Sequence, residues 1–304
     1  MDSKRSFLFR VGAALQYGVL ALSTLAVIGP IVAITWFLIQ KGLPAITPGF
    51  LTKPPEQFMK AGGIMPAIVG TLYLLAGTFI FALPLGLFGA IYLTEYGRRS
   101  RLTRLLRLAI VNLAGVPSVV YGLFGLGFFV MVIGGGIDRM FYQSKLPEPT
   151  YGTGAIVWAS LTLALLILPV VITAAEEALL SVPDSFRQAS LALGCTRWQT
   201  IRQVVLPNAL PGILTGMILG LSRAAGETAP ILLTGAAFFM PTLPDSVHST
   251  FMALPYHLFI ISTQVPDIEE RIPWGTALVL LAMVLGLNGF ASLFRARARA
   301  QRRW

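Results

Sequence analysis

The sequence predicts an all-α, polytopic membrane protein of six transmembrane helices, and two observations carry that reading. Only 12% of the 304 residues are charged and 55% are hydrophobic, with a mean hydropathy of +0.75; a water-soluble domain has about a quarter of its residues charged. Six stretches, 11–40, 61–94, 108–137, 149–175, 203–222 and 272–294, contain no Asp, Glu, Lys or Arg. Each has at least 20 residues, enough for a helix across roughly 30 Å of hydrocarbon. None alternates polar with apolar as a half-buried strand does. In lipid a helix satisfies its own backbone groups, so a helix is the form such runs take.

The first run predicts a span near 17–39. Lys4, Arg5 and Arg10 precede it, as in a cleavable signal peptide. The run is about twice the usual apolar length of such a leader and no small-x-small site closes it, so a true span is expected. A Pro/Gly/Lys-rich loop, 40–65, leads to the second span at 66–94, where Pro84 is expected to kink the helix. The third span, 108–133, carries Pro117 with the same expectation. After the short loop 134–152 come the fourth span, 153–177, and the fifth, 209–234. The loop 235–273 is long for a compact protein and partly apolar ("FMALPYHLFIIS"); it predicts a short helix in the outer interface or dipping into the bundle. The sixth span is 274–294. No repeat or domain boundary interrupts 1–304, which reads as one transmembrane domain.

The net charge of +10 would raise the question of nucleic acid in a soluble protein, but here it has a topological reading. Lys and Arg number three before the first span, five in 96–107, three in 178–208 and five in the tail, against six in the loops of the other side. The positive-inside rule places both termini in the cytoplasm and 40–65, 134–152 and 235–273 outside. A single cysteine, Cys195, excludes an internal disulfide and a Cys-rich metal site. His248 and His257 share the outer loop with nothing else of ligand type spaced around them, so surface histidines are expected in preference to a metal pair. No Walker A or dinucleotide-binding glycine pattern and no catalytic constellation appears. A non-catalytic chain without cofactor or nucleic-acid partner is expected.

Two features are not explained by spanning alone. The first is 178–208, "LLSVPDSFRQASLALGCTRWQTIRQVVLPN". Ser181 and Asp184 are placed to cap a helix, with Pro183 between them suited to a first turn. Gly194 offers a break. A second helical stretch, with Trp198, Ile201, Val204 and Val205 apolar and Arg197 and Arg202 polar, is expected to end at Pro207. This is an elbow at the cytoplasmic face: an interfacial hairpin on lipid headgroups, or a docking element.

The second feature is "LSRAAGETAPILL", 221–233, which puts Arg223 and Glu227 inside an apolar run. Such charges cost roughly 2.5–3.5 kcal/mol each at mid-bilayer and must face the bundle interior or water. Four residues apart, they share a helix face and can pair. A buried ion pair locking helices is one reading, often with no net gain over apolar packing. The other is a transient anion station, because a guanidinium presents a fork of donors that suits oxyanions. Gly226 and Pro230 permit a local break there. In the third span Asn112, Ser118 and Tyr121 are polar groups that either line a path or bond across helices.

These residues carry a resemblance. Gln188-Ala189-Ser190-x-x-Leu193-Gly194, nine residues, then Val204-x-Leu206-Pro207, resembles the "EAA" loop of ABC importer permeases, with Gln188 in place of Glu and Ser190 in place of Ala. "SRAAGETAPILLTG" (222–235), "GVPSVVYGLFGLG" (115–127) and "GGIMPAIVGTL" (62–72) look like patches of the permease subunits of the phosphate-specific ABC importer, A-type. The resemblance implies a type I, MetI-like permease fold in a bacterial inner membrane. It implies that this chain forms half of a phosphate pathway and a C-type permease the other half. Two ATP-binding subunits and a periplasmic phosphate-binding protein are the further partners, with ATP held on the former. It also implies docking of the ATPase on 178–208 through Gln188, Ala189, Ser190, Gly194, Arg197, Trp198, Ile201 and Arg202. The cargo path then runs past Arg223, Glu227, Ser118, Tyr121 and Asn112. Another oxyanion, sulfate or molybdate, and a passive anion channel are the alternatives.

Overall fold

A computed structural model describes residues 2–97, 100–145 and 147–300. Arg98, Arg99, Arg302 and Arg303, counted in the charge asymmetry, lie outside the described residues. α1 (Asp2–Gly42) leads through α2 (Pro48–Thr52) and a small antiparallel hairpin, β1 (Pro55–Glu56) with β2 (Ala61–Gly62), into α3 (Met65–Ile91). α4 (Arg101–Ala114), α5 (Ser118–Phe124), α6 (Gly135–Phe141) and α7 (Ile156–Leu180) follow. α8 (Asp184–Ala192) and α9 (Arg197–Thr200) form the elbow; then come α10 (Leu206–Ala224), α11 (Ala229–Thr234), α12 (Leu254–Thr263) and α13 (Arg271–Ala300). π-helical turns at Tyr92–Tyr96, Gly125–Gly134 and Ile201–Val205 extend or join these helices without interruption. Six helices among the described residues are long and apolar enough to cross a membrane.

α7 is the hub. Of its most apolar stretch 67% is buried, against 0% for α1, so α7 is enclosed by protein while α1 lies at the rim. α3 and α10 flank α7, and their facing residues, Leu74, Ala82, Leu163, Ile167, Met217 and Leu221 among them, form one apolar core. Several buried threonines within the spans are satisfied by their own helix. The hydroxyls of Thr71, Thr78 and Thr162 donate to the carbonyls four residues back at 2.7–2.8 Å.

The third span differs from the helix expected over 108–133. α4 stops at Ala114, and a new helix begins at Ser118. Pro117 has no N–H and restricts Val116 before it. Gly115 and Val116 close α4 with short bonds to the carbonyls of Asn112 and Leu113, each 3.1 Å. The two halves still run along α7: Arg107 pairs with Glu176 near one end, and Gly134 abuts Tyr151 beyond the other. By contrast α3 continues through Pro84 as one helix.

The fifth span, expected over 209–234, also breaks, between α10 and α11. At its start it differs in the other direction. The helix does not end at Pro207 but runs unbroken from Arg197 to Ala224. The π turn explains this: Leu206 N–H reaches back to Ile201 O, absorbing the register change before a proline that can give no N–H.

The long segment after α11 enters the bundle. Phe251 to Leu254 are essentially inaccessible, and Leu254 N–H donates to Thr71 Oγ1 at 2.8 Å. α12 buries Leu254, Tyr256, His257, Ile260 and Ile261 against α3 and α13. The expectation of a surface histidine at 257 is therefore corrected: its neighbours in sequence are apolar and carry it inward. Burial pushes the imidazole pKa down to about 4, and Nδ1 has no hydrogen-bond partner among the described residues. His248, in contrast, is only half-buried and lies tilted against Tyr151, with ring centroids 5.4 Å apart and planes at 43°.

Candidate functional site

The two broken spans meet at their breaks. Beyond Arg223 the chain leaves α-helical geometry in a tightening turn: Gly226 N–H donates to Arg223 O at 3.1 Å and Glu227 N–H to Ala224 O at 3.2 Å. Ala229 and Pro230 then start α11, proline being tolerated in a first turn where its missing N–H costs nothing. Opposite lies Gly122. A Cβ there would fall 3.0 Å from Pro230 Cα and 3.1 Å from Ala229 O, so a larger residue would force these backbones a few tenths of an ångström apart.

Arg223 Nε and Glu227 Oε1 are 3.5 Å apart. A strong charge-assisted hydrogen bond is about 2.7–2.9 Å, so this pair is loose. The arginine side chain is 51% exposed and the glutamate 18%. Among the described residues the terminal amino groups of Arg223 make no hydrogen bond, leaving most of the guanidinium fork open. Tyr121 is buried within electrostatic reach of Arg223. Its hydroxyl is committed elsewhere: it donates to Leu113 O at 2.8 Å and so staples α5 to the end of α4 across the break. Ser118 is half-buried one turn before Tyr121, at the first position of α5. Asn112 is exposed in the last turn of α4, and its side chain joins none of these contacts among the described residues. The structure thus groups Arg223, Glu227 and Tyr121, with Ser118 beside them; Asn112 stands apart.

The elbow is built from two capping motifs. Gly194 takes a left-handed φ of +85°. It ends α8 with Gly194 N–H to Leu191 O (3.0 Å) and Cys195 N–H to Ser190 O (3.2 Å), a paired closure that glycine accommodates. Thr196 and Gln199 then form a reciprocal capping box that starts α9. The Thr-x-x-Gln spacing was a legible signal for it. The caps expected of Ser181 and Asp184 do not form. Pro183 occupies the cap position, Ser181 Oγ donates back to Ala178 O, and Asp184 pairs with Arg187 at 3.3 Å.

Of the residues expected to dock a partner, Gln188, Ala189, Gly194, Arg197, Trp198 and Arg202 are exposed. Ser190 and Ile201 face inward instead. Ser190 Oγ lies 2.9 Å from Thr200 Oγ1, pinning the two arms together, and Ile201 is in the core. The tip also presents Leu193, 86% exposed, a large apolar side chain held in solvent.

One pair eluded the sequence. Arg187 donates through Nε and Nη2 to Glu95 Oε1 at 3.2 and 3.0 Å, and both side chains are largely buried. Nothing in the spacing of residues 92 positions apart marks them. The only hint is that Glu95 ends the uncharged run 61–94.

The family model described as "Binding-protein-dependent transport system inner membrane component" matches residues 82–288. The chain is similar to the phosphate transport system permease protein PstA 1 of Mycobacterium tuberculosis (strain ATCC 25618 / H37Rv), 37% identical over 280 residues, covering 90% of this chain and 84% of that protein. PstA of Haemophilus influenzae (strain ATCC 51907 / DSM 11121 / KW20 / Rd) is 31% identical, with 90% of this chain and 92% of that protein covered. In fold, the chain is similar to a chain in the crystal structure of a bacterial ABC transporter involved in the import of the acidic polysaccharide alginate. There the TM-score is 0.64 at 16% identity, with 97% of each chain covered. It is also similar to a chain of the inward-facing MetNI methionine ABC transporter, with TM-score 0.54 at 16% identity, covering 77% of this chain and 97% of that one.

Proposed function

The chain belongs to the family of binding-protein-dependent transport system inner membrane components, and from that membership we propose that it is the permease subunit of an ATP-driven phosphate importer. Relatives named as phosphate permeases over nine-tenths of the chain support the cargo. The observation that carries the chemistry is the half-exposed Arg223, loosely held by Glu227 where two half-helices meet.

Phosphate leaving water must exchange its hydration for protein donors, and a guanidinium supplies several in a planar fork. Arg223 takes that part. Glu227 keeps the cation compensated when the station is empty, and its negative charge opposes permanent capture of an anion. Ser118 begins the half-helix facing this point, and helix N-termini at breaks in transporter spans favour anions. Tyr121 acts by holding the break in shape. Asn112, exposed in the last turn of the inner half-helix, contacts cargo only as the pathway changes state.

A C-type permease provides the other half of the path against the exposed flank. Two ATP-binding subunits seat on the elbow over Gln188, Ala189, Gly194, Arg197, Trp198 and Arg202, with Leu193 as an apolar anchor. This chain itself hydrolyses no ATP and holds no cofactor. Both termini lie in the cytoplasm, in the inner membrane, and a periplasmic phosphate-binding protein delivers cargo to 40–65 and 235–273.

Arg223→Gln in the assembled complex tests the reading. Losing charge-assisted bonds worth roughly 1.5–3 kcal/mol lowers phosphate uptake about 10- to 100-fold with assembly intact. Uptake equal to that of the unaltered complex would reduce Arg223 to a helix lock. Competition by sulfate and molybdate in the same assay sets the selectivity: either anion displacing phosphate at equal concentration contradicts a phosphate-specific station.

A further inference from the structure

We propose that Arg187 and Glu95 are a positioning pair, the tie through which the elbow moves α3 and α7 during transport; this rests on the permease reading above. Arg187 sits in the first turn of α8 and reaches acceptors on two other elements. It holds Glu95 in the π turn that ends α3 at 3.0 and 3.2 Å. It also donates to Leu179 O (2.7 Å) and Val182 O (2.5 Å), at and just beyond the end of α7. Leu179 O lies in the last turn of α7, where it also accepts from Val182 N–H at 3.3 Å and where the negative end of the helix dipole favours a cation. One guanidinium therefore fastens the elbow to the ends of two spans at once.

The end of α3 is shaped to receive such ties. In the π turn Gly97 N–H bonds to Tyr92 O in place of Leu93 O. The freed Leu93 carbonyl accepts from Arg107 Nη2 at 3.4 Å, and Arg107 also pairs with Glu176 of α7. A groove of about 360 Å3 opens beside the Arg187–Glu95 pair, lined by Thr94, Arg197, Thr200 and Ile201 as well. Another π turn, 201–205, begins at Ile201 in the same lining. π turns re-aim side chains at working sites, and here two of them border one groove between the exposed elbow tip and the spans.

Energetics separates a tie from a clip. A largely buried ion pair is seldom better for stability than apolar residues of the same volume. The elbow already has apolar anchors in Val182, Phe186 and Ile201. Apolar contacts permit sliding; four directed hydrogen bonds from one fork to acceptors outside its own helix do not. A push on the tip at Leu193 or Trp198 is therefore delivered to α3 and α7 through Arg187.

The test uses the whole reconstituted complex in vesicles, with ATP hydrolysis and phosphate uptake measured together. Glu95→Gln keeps size and shape. It is expected to assemble and to hydrolyse ATP within about twofold of the unaltered complex, while uptake per ATP falls about tenfold, the scale of a site-to-site coupling. Glu95→Asp, which keeps the charge, is expected to recover most of that ratio. An unchanged uptake-to-ATP ratio in Glu95→Gln overturns the proposal. So does failure of both variants to assemble, which would make the pair a folding clip. If the unaltered complex takes up no phosphate, the permease reading fails instead, and the two failures are distinguishable.

Discussion

Arg223 and Glu227 lie 3.5 Å apart at a helix break, and their looseness makes opposite predictions for the two partners. Removing the cation removes the donors for cargo. Removing the anion leaves the guanidinium uncompensated, so phosphate is held more tightly and released more slowly. Glu227→Gln should lower both the KM and the maximal rate of uptake, read from initial rates over a range of phosphate concentrations; a raised KM would show that Glu227 does not oppose the anion. Gly122 makes a separate steric prediction. Gly122→Ala places a Cβ about 3.0 Å from Pro230 Cα, and overpacking of this kind costs roughly 1–3 kcal/mol. A lowered thermal midpoint of the purified complex is the expected sign. The charges in 221–233 were legible because an ion in an apolar run is an energetic anomaly. That Gly122 permits a close approach could be read from the sequence; that it meets the Ala229–Pro230 backbone could not, since no local pattern tells which backbone a glycine faces.

At the scale of elements, helices were legible and their ends were not. Uncharged runs mark where lipid permits helix. Whether a helix stops at Pro117 or passes through Pro84 depends on the partners available to the freed carbonyls, as Tyr121 is for Leu113. The elbow's second helix outran Pro207 because a π turn, invisible in composition, absorbed the defect. Its start is a capping box, and Thr196→Ala should cost about 1 kcal/mol, seen as weaker ATPase retention on co-purification. α12 carries a pH prediction. His257 is buried with its pKa depressed to about 4, below the usual value near 6.5. The unfolded chain therefore binds the extra proton first, and stability falls as pH drops from about 6.5 toward 4. His257→Gln should flatten the thermal midpoint over that window; an equal slope in both proteins would exclude His257 as its source.

The whole molecule is organised around α7, with α3 and α10 against it and two interrupted spans meeting on one flank. That half of a pathway ends at an exposed Arg223 and an exposed elbow tip, both open on the isolated chain. The six-helix plan and the elbow motif were readable from residue order. The Glu95–Arg187 tie was not, because pairing between residues so far apart is a property of the fold. The proposed function requires that this chain move phosphate only as part of an ATP-driven machine. Its most direct test is phosphate accumulation in vesicles bearing the complete complex and its binding protein, with and without ATP. Accumulation above the outside concentration with ATP, and none without it, is the predicted result. Equal phosphate flux in the absence of ATP would make the chain a passive channel and contradict the account.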